Sequence, residues 1–339
     1  MNRRTFLTAA SAAALSAGGG CTGSRYDFEL LNVSYDPTRE LYRRMNRLFA
    51  EHYAAQTGKR VRVRQSHGGS GSQARSVIDG IPADVVTLAM WADINNIRSK
   101  KLIADNWESR LPNNALPYYS TIVFTVRKGN PHGIEQWTDL VDKPGVKIIT
   151  ANPKTGGGAK LNLLGAWLAV RHGGGSVGDA RKFITEMYRR VPVLDTGARG
   201  ATVTFARKNI GDVHLTWENE AWLEKRELKD EIEIVYPKVS IRAEPHVALV
   251  DANADRKGTR APAEEYLRFL YTNAAQELIA ETFFRPGNPD VATRHAGRFP
   301  PIDLIRATAP SSGLGGWDKI QSDFFSEGGL FDQIYQSAR

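Results

Sequence analysis

RVRVRQSHGGSGSQARSVI (residues 60–78) combines a strand pattern, a glycine-rich turn and the first residues of a helix. Its first half alternates charged and apolar side chains, which is typical of a strand, and GGSGS supplies the glycines of a tight turn. The turn is not followed by the Lys-Ser or Lys-Thr pair of a P-loop, and its glycines do not fit the dinucleotide pattern GxGxxG. A nucleotide therefore does not explain this turn.

The same unit recurs along the chain. FELLNVSY reads as a strand, and Asp36 and Pro37 after it are typical of a helix N-cap and first helical residue. ADVVTLAM is a near-continuous apolar run of the kind buried in a parallel sheet, and STIVFTVRK, VKIITAN and GDVHLTW are further strands. Alternating strands and helices predict an α/β protein with mainly parallel sheets.

Two extended segments look like crossings between two lobes. They are STIVFTVRK, after a loop rich in Pro and Asn, and KVSIRAEPHVALVD, before a long helical region. We expect residues 30–120 and 243–339 to form the first lobe and residues 121–242 to form the second.

The N-terminus reads as an export signal over residues 1–20, followed by a linker over residues 21–29. Two arginines precede an apolar stretch too short to span a bilayer. The segment NRRTFL resembles a twin-arginine signal, and an ordinary secretory signal is the alternative. Cys21 stands where a bacterial lipoprotein is cleaved and acylated, but the preceding glycines lack the usual leucine, so lipidation stays open.

Composition excludes several classes of protein. Cys21 is the only cysteine, so the folded body has no disulfide, thiolate metal site or cysteine nucleophile. The formal charge of +8 includes two arginines of the export signal, and the remaining Lys and Arg are scattered among Asp and Glu. We therefore expect no nucleic-acid partner.

Five turns share a strand end, small residues and the beginning of a helix, an arrangement that leaves backbone N–H groups unpaired and attracts anions. Taken singly, each glycine-rich turn is better explained by a purely structural role. The five turns are Tyr35-Asp36-Pro37, His67-Gly68-Gly69-Ser70-Gly71, Thr155-Gly156-Gly157-Gly158-Ala159, Asp195-Thr196-Gly197-Ala198-Arg199-Gly200 and Thr216-Trp217-Glu218-Asn219-Glu220.

No catalytic set or metal site assembles from these turns. His67 has no partner at metal-ligand spacing, and Ser70 lacks the GxSxG frame of a nucleophile. Glu218 and Glu220 are two residues apart, which places them on different faces of a helix. Trp217 is either a core residue or, through its indole N–H, a donor to an anion.

The turns resemble those of the periplasmic sulfate-binding protein family, the receptors of sulfate and thiosulfate importers. The resemblance rests on LLNVSYDPTRELY, QSHGGSG, DVVTLA, STIVFTVRKGNP, LDTGARG, GDVHLTWENEA and FFRPG, and it covers nearly the whole chain after the export signal. It implies a type II periplasmic binding protein fold, with two α/β lobes, a two-stranded hinge and a ligand cleft between the lobes.

The resemblance also implies which groups bind the anion. They are the backbone N–H groups of Asp36, Ser70, Gly157, Gly158 and Ala198, and the indole of Trp217. Where the family has a serine hydroxyl, this chain has Gly156, so that donor is lost or is replaced by Thr155 or a water. Arg39 and Arg199 are expected to bond the carbonyls of the binding loops from behind, with ordinary salt bridges as the alternative.

The expected function is an exported, monomeric receptor that captures sulfate or thiosulfate and delivers it to the membrane subunits of an ABC importer. It would lie in the periplasm or be anchored outside the cytoplasmic membrane through Cys21. We expect no cofactor and no metal. The alternatives are a receptor for phosphate or molybdate and an enzyme on the same two-lobed fold.

Overall fold

The computed structural model describes residues 25–338. The export signal and Cys21 lie outside the described residues. The strands are β1 (Phe28–Tyr35), β2 (Val61–Gly68), β3 (Val85–Leu88), β4 (Tyr118–Arg127), β5 (Ile148–Ala151), β6 (Leu194–Asp195), β7 (Val213–Trp217), β8 (Ile232–Val235), β9 (Val239–Ala243), β10 (His246–Leu249), β11 (Arg285–Pro286) and β12 (Asp303–Ile305).

Helices follow most of the strands. They are α1 (Arg39–Thr57), α2 (Ser70–Ile78), α3 (Trp91–Ser99), α4 (Pro112–Ala115), α5 (Asp139–Asp142), α6 (Gly157–His172), α7 (Val177–Arg189), α8 (Ala198–Thr202), α9 (Glu218–Leu228), α10 (Asp251–Lys257), α11 (Arg260–Phe269), α12 (Asn273–Glu281), α13 (Pro289–Arg294), α14 (Trp317–Ile320) and α15 (Leu330–Ala338). No helix among the described residues is both long and apolar enough to cross a membrane.

The first lobe is built on a four-stranded sheet in the order β10-β3-β1-β2. β1 is parallel to both β2 and β3, and β10 is antiparallel to β3. All four residues of β3 are buried, as its continuous apolar pattern predicts. The apolar face of α1, which includes Leu41, Met45 and Phe49, packs in the core of this lobe.

The second lobe is built on a sheet in the order β12-β9-β4-β7-β5-β6, and β8 and β11 also pair with β4. β4 crosses between the lobes, because its Tyr118 packs in the first core and its Phe124 in the second. The second crossing joins β9 to β10, and β9 pairs with β4 at Ser120 and Thr121. The predicted fold of two α/β lobes joined by a two-stranded hinge is confirmed. The sheets are mixed rather than mainly parallel, because β4 is antiparallel to β7, β8 and β9.

The C-terminal segment differs from the expected lobe division. β12 pairs with β9, and Phe324 and Phe331 lie in the core of the second lobe. The ammonium of Lys154, in the loop before α6, donates to the carbonyls of Phe325 and Ser326 at 3.1 and 2.9 Å. We therefore propose that the second lobe comprises residues 121–242 together with residues 303–338.

The first helix begins later than Asp36 and Pro37 predict. A 3-10 turn, Asp36–Thr38, precedes α1, and its N-cap is Tyr35 rather than Asp36. The Thr38 hydroxyl donates to the Tyr35 carbonyl at 2.7 Å, which tightens the chain into this extra turn. Asp36 is therefore the first residue of a turn and its carboxylate caps no helix.

Candidate functional site

One small cavity between the lobes is lined by parts of all five turns. Its lining residues are Tyr35, Asp36, Pro37, Gly68, Gly69, Ser70, Ala89, Gly156, Gly157, Gly158, Ala198 and Trp217. The structure thus brings together all six expected anion-binding residues. The cavity volume is about 10 Å³, far below the roughly 300–1,000 Å³ of sites for drug-sized ligands. Such a space excludes a large ligand.

Four helical segments begin at this cavity. Their first residues are Asp36, Ser70, Gly157 and Ala198, and their N-caps are Tyr35, Gly69, Gly156 and Gly197. None of these N-caps makes a side-chain capping hydrogen bond. Because the first N–H groups of a helix have no partner within it, they remain available to an acceptor in the cavity. Helix starts also carry partial positive charge, which favours an anion.

The indole of Trp217 adds a side-chain donor. Trp217 is 1% exposed, and its Nε1 has no hydrogen-bond partner among residues 25–338. A Cβ atom placed on Gly158 would lie 2.3 Å from that nitrogen, so only glycine permits the indole to approach the start of α6. A buried donor without a partner costs about 1–3 kcal/mol. An acceptor in the cavity would remove this cost.

Ser70 faces the cavity with its backbone and not with its hydroxyl. Its Oγ donates to the buried carboxylate of Asp93 at 2.5 Å and accepts from the backbone N–H of Ala89 at 3.1 Å. Burial raises the pKa of Asp93, while the charge of Lys160 and the Ser70 hydrogen bond act in the opposite direction. The hydroxyl is therefore engaged on the side of the first lobe.

Thr155 does not line the cavity. Its hydroxyl donates to the carbonyl of Thr196 at 2.6 Å, within the second lobe. Gly156 does line the cavity and has no side chain to offer. Neither residue thus replaces the hydroxyl that the resemblance leads one to expect.

Arg39 neutralises the one carboxylate among the lining residues. Its Nη2 donates to Asp36 Oδ1 at 2.6 Å and to the carbonyl of His67 at 3.2 Å. It therefore links the turn that contains Asp36 to the turn that contains His67. Arg199 is exposed, and its charge favours ionisation of the nearby Glu220. No hydrogen bond of Arg199 to a loop carbonyl is found in the described part of the chain.

The two lobes touch at glycines beside the cavity. A Cβ atom on Gly69 would lie 2.4 Å from the carbonyl oxygen of Thr155, across the cleft. A Cβ atom on Gly157 would lie 3.0 Å from Cβ of Ser70 and 3.1 Å from that of Ala89. Such contacts require the lobes to be closed on each other, and larger residues would hold them apart.

Two acidic residues follow Trp217 in buried positions. The carboxylate of Glu218 is fully buried and accepts two hydrogen bonds from Arg285, at 2.7 and 2.8 Å. Burial, and then the charge of Glu224, raise the pKa of Glu220 to about 8. Glu218 and Glu220 therefore belong to the packing around the site and do not form a carboxylate pair in it.

Three residues that shape the site were not predicted from the sequence. Tyr35 lines the cavity and packs on Trp217, with ring centroids 5.2 Å apart. Gly69 lets the lobes meet. The Asn219 amide donates to the Pro37 carbonyl at 2.9 Å. Each lies within a turn that was singled out, but nothing in the sequence indicated that these residues face the other lobe.

Comparison with protein families places residues 32–285 within a family described as bacterial extracellular solute-binding protein. The sulfate-binding protein of Salmonella typhimurium is 51% identical over 310 residues, which are 91% of this chain and 93% of that protein. The thiosulfate-binding protein of Pseudomonas aeruginosa is 43% identical, over 98% of this chain and 99% of that protein.

Solved structures share the fold. The sulfate-binding protein SubI from Mycobacterium tuberculosis H37Rv superposes with a TM-score of 0.78 at 30% identity, over 88% of this chain and all of that one. The periplasmic binding protein P5PA gives a TM-score of 0.65 at 16% identity, over 92% of this chain and all of that one. At that identity the second similarity concerns the fold alone.

Proposed function

Because this chain belongs to the bacterial extracellular solute-binding protein family, we propose that it is a receptor that captures sulfate outside the cytoplasm for an ABC importer. The observation that carries the proposal is the cavity between the lobes. Within residues 25–338, helix starts without side-chain caps and an indole N–H without a partner converge there. A site of donors suits a small dianion, and relatives that cover most of the chain are sulfate-binding proteins.

The donor set also supports a choice among oxyanions. Sulfate has no proton at neutral pH and needs only donors, whereas monohydrogen phosphate must place its own O–H on an acceptor. The one carboxylate of the lining, Asp36, is bonded to Arg39. A phosphate O–H left without a partner would cost about 1–3 kcal/mol. We therefore propose that sulfate is preferred to phosphate.

We assign the binding groups as follows. The backbone N–H groups of the four helix starts hold the anion from both lobes, Gly158 adds the second N–H of α6, and the indole of Trp217 completes the set. Arg39 supports the turns of the first lobe by its bonds to Asp36 and to the His67 carbonyl. Thr155 has no role in binding, because its hydroxyl is bonded to Thr196.

Thiosulfate is the second candidate ligand, because the Pseudomonas aeruginosa relative with that name covers nearly the whole chain. Both anions suit a site made of donors, so the two are separated by competition. We also propose that the chain is not an enzyme. The hydroxyl of Ser70, in the cavity lining, is bonded to Asp93 and Ala89 and is therefore not free to act as a nucleophile.

The expected cellular setting follows from the family. We propose that the protein works on the outer side of the cytoplasmic membrane, as a monomer, and docks on the membrane subunits of the importer. Lipid attachment at Cys21 would hold it there, and release of residues 1–20 without acylation would leave it in the periplasm. Mass spectrometry of the exported protein distinguishes these two forms.

Calorimetric titration of the purified protein with sulfate, thiosulfate, phosphate and molybdate tests the proposal. We expect sulfate or thiosulfate to bind far more tightly than the other two anions. Equal or reversed affinities for phosphate would refute it. An assay for sulfatase and phosphatase turnover on the same sample tests the enzyme alternative, and turnover above background would favour that alternative.

A further inference from the structure

Three consecutive residues at the junction of β7 and α9 have their side chains in three different environments. The indole of Trp217 faces the cavity. The carboxylate of Glu218 is held by Arg285. The side-chain amide of Asn219 donates through Nδ2 to the carbonyl of Pro37 at 2.9 Å.

The hydrogen bond from Asn219 to Pro37 crosses the cleft. Pro37 lies in the first-lobe turn Asp36–Thr38 and lines the cavity. Asn219 lies on the second lobe, is 1% exposed and is not among the cavity-lining residues. Because opening of the hinge carries these elements apart, the bond exists only when the lobes are closed.

The orientation of the Asn219 amide is fixed by its partner. Pro37 offers a carbonyl, which only accepts, so the amide must present its NH₂ group. Its Oδ1 has no hydrogen-bond partner among the described residues. Turning the amide would place two acceptors against each other, so Nδ2 faces Pro37.

The ion pair between Glu218 and Arg285 fixes the start of α9 to the hinge. Arg285 belongs to β11, which pairs with hinge strand β4 at Tyr119. Its guanidinium also donates to the Pro300 carbonyl at 3.0 Å. The pair is buried next to the hinge, where a rotation moves atoms least. The start of α9 is thus held in place, and the side chain of Asn219 points from it toward the first lobe.

We propose that Asn219 is a positioning residue that latches the closed receptor and slows release of the ligand without touching it. The proposal rests on the proposed function, since it concerns closure around the same cavity. The ligand leaves only when the lobes separate, and separation requires the bond from Asn219 to Pro37 to break. Loss of the amide donor therefore accelerates dissociation and leaves the binding groups intact.

The test compares Asn219→Ala with the matched control Asn162→Ala. Asn162 is also buried and donates to a backbone carbonyl, that of Leu215 at 3.0 Å, but this bond lies within the second lobe. Stopped-flow tryptophan fluorescence measures association and release of sulfate, and thermal unfolding without ligand measures stability. A residue with only a structural role would lower the melting temperature and leave the release rate unchanged.

For Asn219→Ala we expect sulfate release about 3- to 10-fold faster, as for the loss of one neutral hydrogen bond. We expect nearly unchanged association and an unchanged melting temperature without ligand. Asn162→Ala should show the reverse pattern, with a lower melting temperature and wild-type release. The proposed role of Asn219 would be refuted if Asn219→Ala released sulfate at the wild-type rate. It would also be refuted if the ligand-free melting temperature fell as much as in the control.

If Asn219→Ala does not fold, Asn219→Asp provides the second test. It keeps the shape of the side chain and places a carboxylate oxygen against the Pro37 carbonyl, so release should be accelerated at least as much. Wild-type protein that gives no response to sulfate would refute the proposed function itself. Wild-type protein that binds sulfate, with Asn219 variants that release it at the same rate, would refute the latch alone.

Discussion

Alanine at position 158 would drive a methyl group into the indole of Trp217. The added Cβ atom would lie 2.3 Å from Nε1 and 3.1 Å from Cδ1, well inside the optimal separation of roughly 3.5–4.0 Å between carbon atoms. Trp217 cannot simply move away, because it is buried and packs on Tyr35. Either the indole tilts or the start of α6 shifts, and in both cases two donors no longer converge.

The expected loss of binding free energy follows from the hydrogen-bond donors that are displaced. Loss of one hydrogen bond to a charged ligand costs about 1.5–3 kcal/mol, which weakens binding about 10- to 150-fold. Overpacking costs about 1–3 kcal/mol, and replacing glycine by alanine within a helix returns about 0.5–1 kcal/mol. The unfolding free energy without ligand should therefore fall by about 2.5 kcal/mol at most.

Calorimetric titration of Gly158→Ala with sulfate measures this effect, and Gly156→Ala is the matched control. A Cβ atom on Gly156 would meet the Asn152 carbonyl oxygen at 3.5 Å and Ala159 at 3.7 Å, which are ordinary contacts. The control should therefore bind almost as wild type does. Wild-type affinity of Gly158→Ala would refute the assignment of these donors. An equal loss in both variants would trace the effect to the glycine loop in general.

Three further predictions concern the same region. Trp217→Phe keeps an aromatic ring but removes the N–H, and should weaken sulfate binding by about 0.5–3 kcal/mol; unchanged affinity by calorimetry would remove Trp217 from the site. Gly156→Ser adds a hydroxyl where the nearest atoms are 3.5–3.8 Å from the new Cβ, and should tighten binding by about 1–2 kcal/mol. No gain in affinity would show that the absence of a hydroxyl at position 156 does not limit sulfate binding. Burial and neighbouring acids raise the pKa of Glu220 from 4.5 to about 8. The contribution of protonated Glu220 to the free energy of unfolding is therefore complete below the ordinary pKa and is lost as pH rises through about 8. Glu220→Gln should remove this part of the fall in unfolding free energy on going from acidic to mildly alkaline pH; an unchanged urea-denaturation profile against pH would contradict it.

The alternating units of strand and helix were predictable because each carries its own local pattern. The apolar run of β3 and the apolar face of α1 identify the first lobe, and the two extended segments identify the hinge. The family resemblance is confirmed by a relative that is 51% identical over most of the chain. The position of the C-terminal segment was not predictable, because apolar residues such as Phe324 and Phe331 do not specify which core they join.

The turns that line the cavity were predictable as positions along the chain. A strand end, small residues and a helix start coincide at each of them, and a sheet collects such ends at one edge. Side-chain directions were not predictable in the same way. The Thr155 hydroxyl turns to Thr196, and the Asp36 carboxylate is bonded to Arg39 and caps no helix.

The partner of Asn219 depends on how the two lobes meet. An asparagine in the first turn of a helix looks like any polar residue at a helix start. Its contact partner, Pro37, is 182 residues away in sequence. Only the relative placement of the lobes brings the two residues together, and no local pattern encodes that placement.

With the C-terminal segment in the second lobe, as we propose, the two ends of the described chain lie on different lobes. β1 starts the first lobe at Phe28, whereas α15 packs against α7 through the ring pair of Tyr188 and Phe331. A donor dye near Phe28 and an acceptor dye near Gln336 would therefore be attached to different lobes. Energy transfer between them would follow each opening and closing in single molecules.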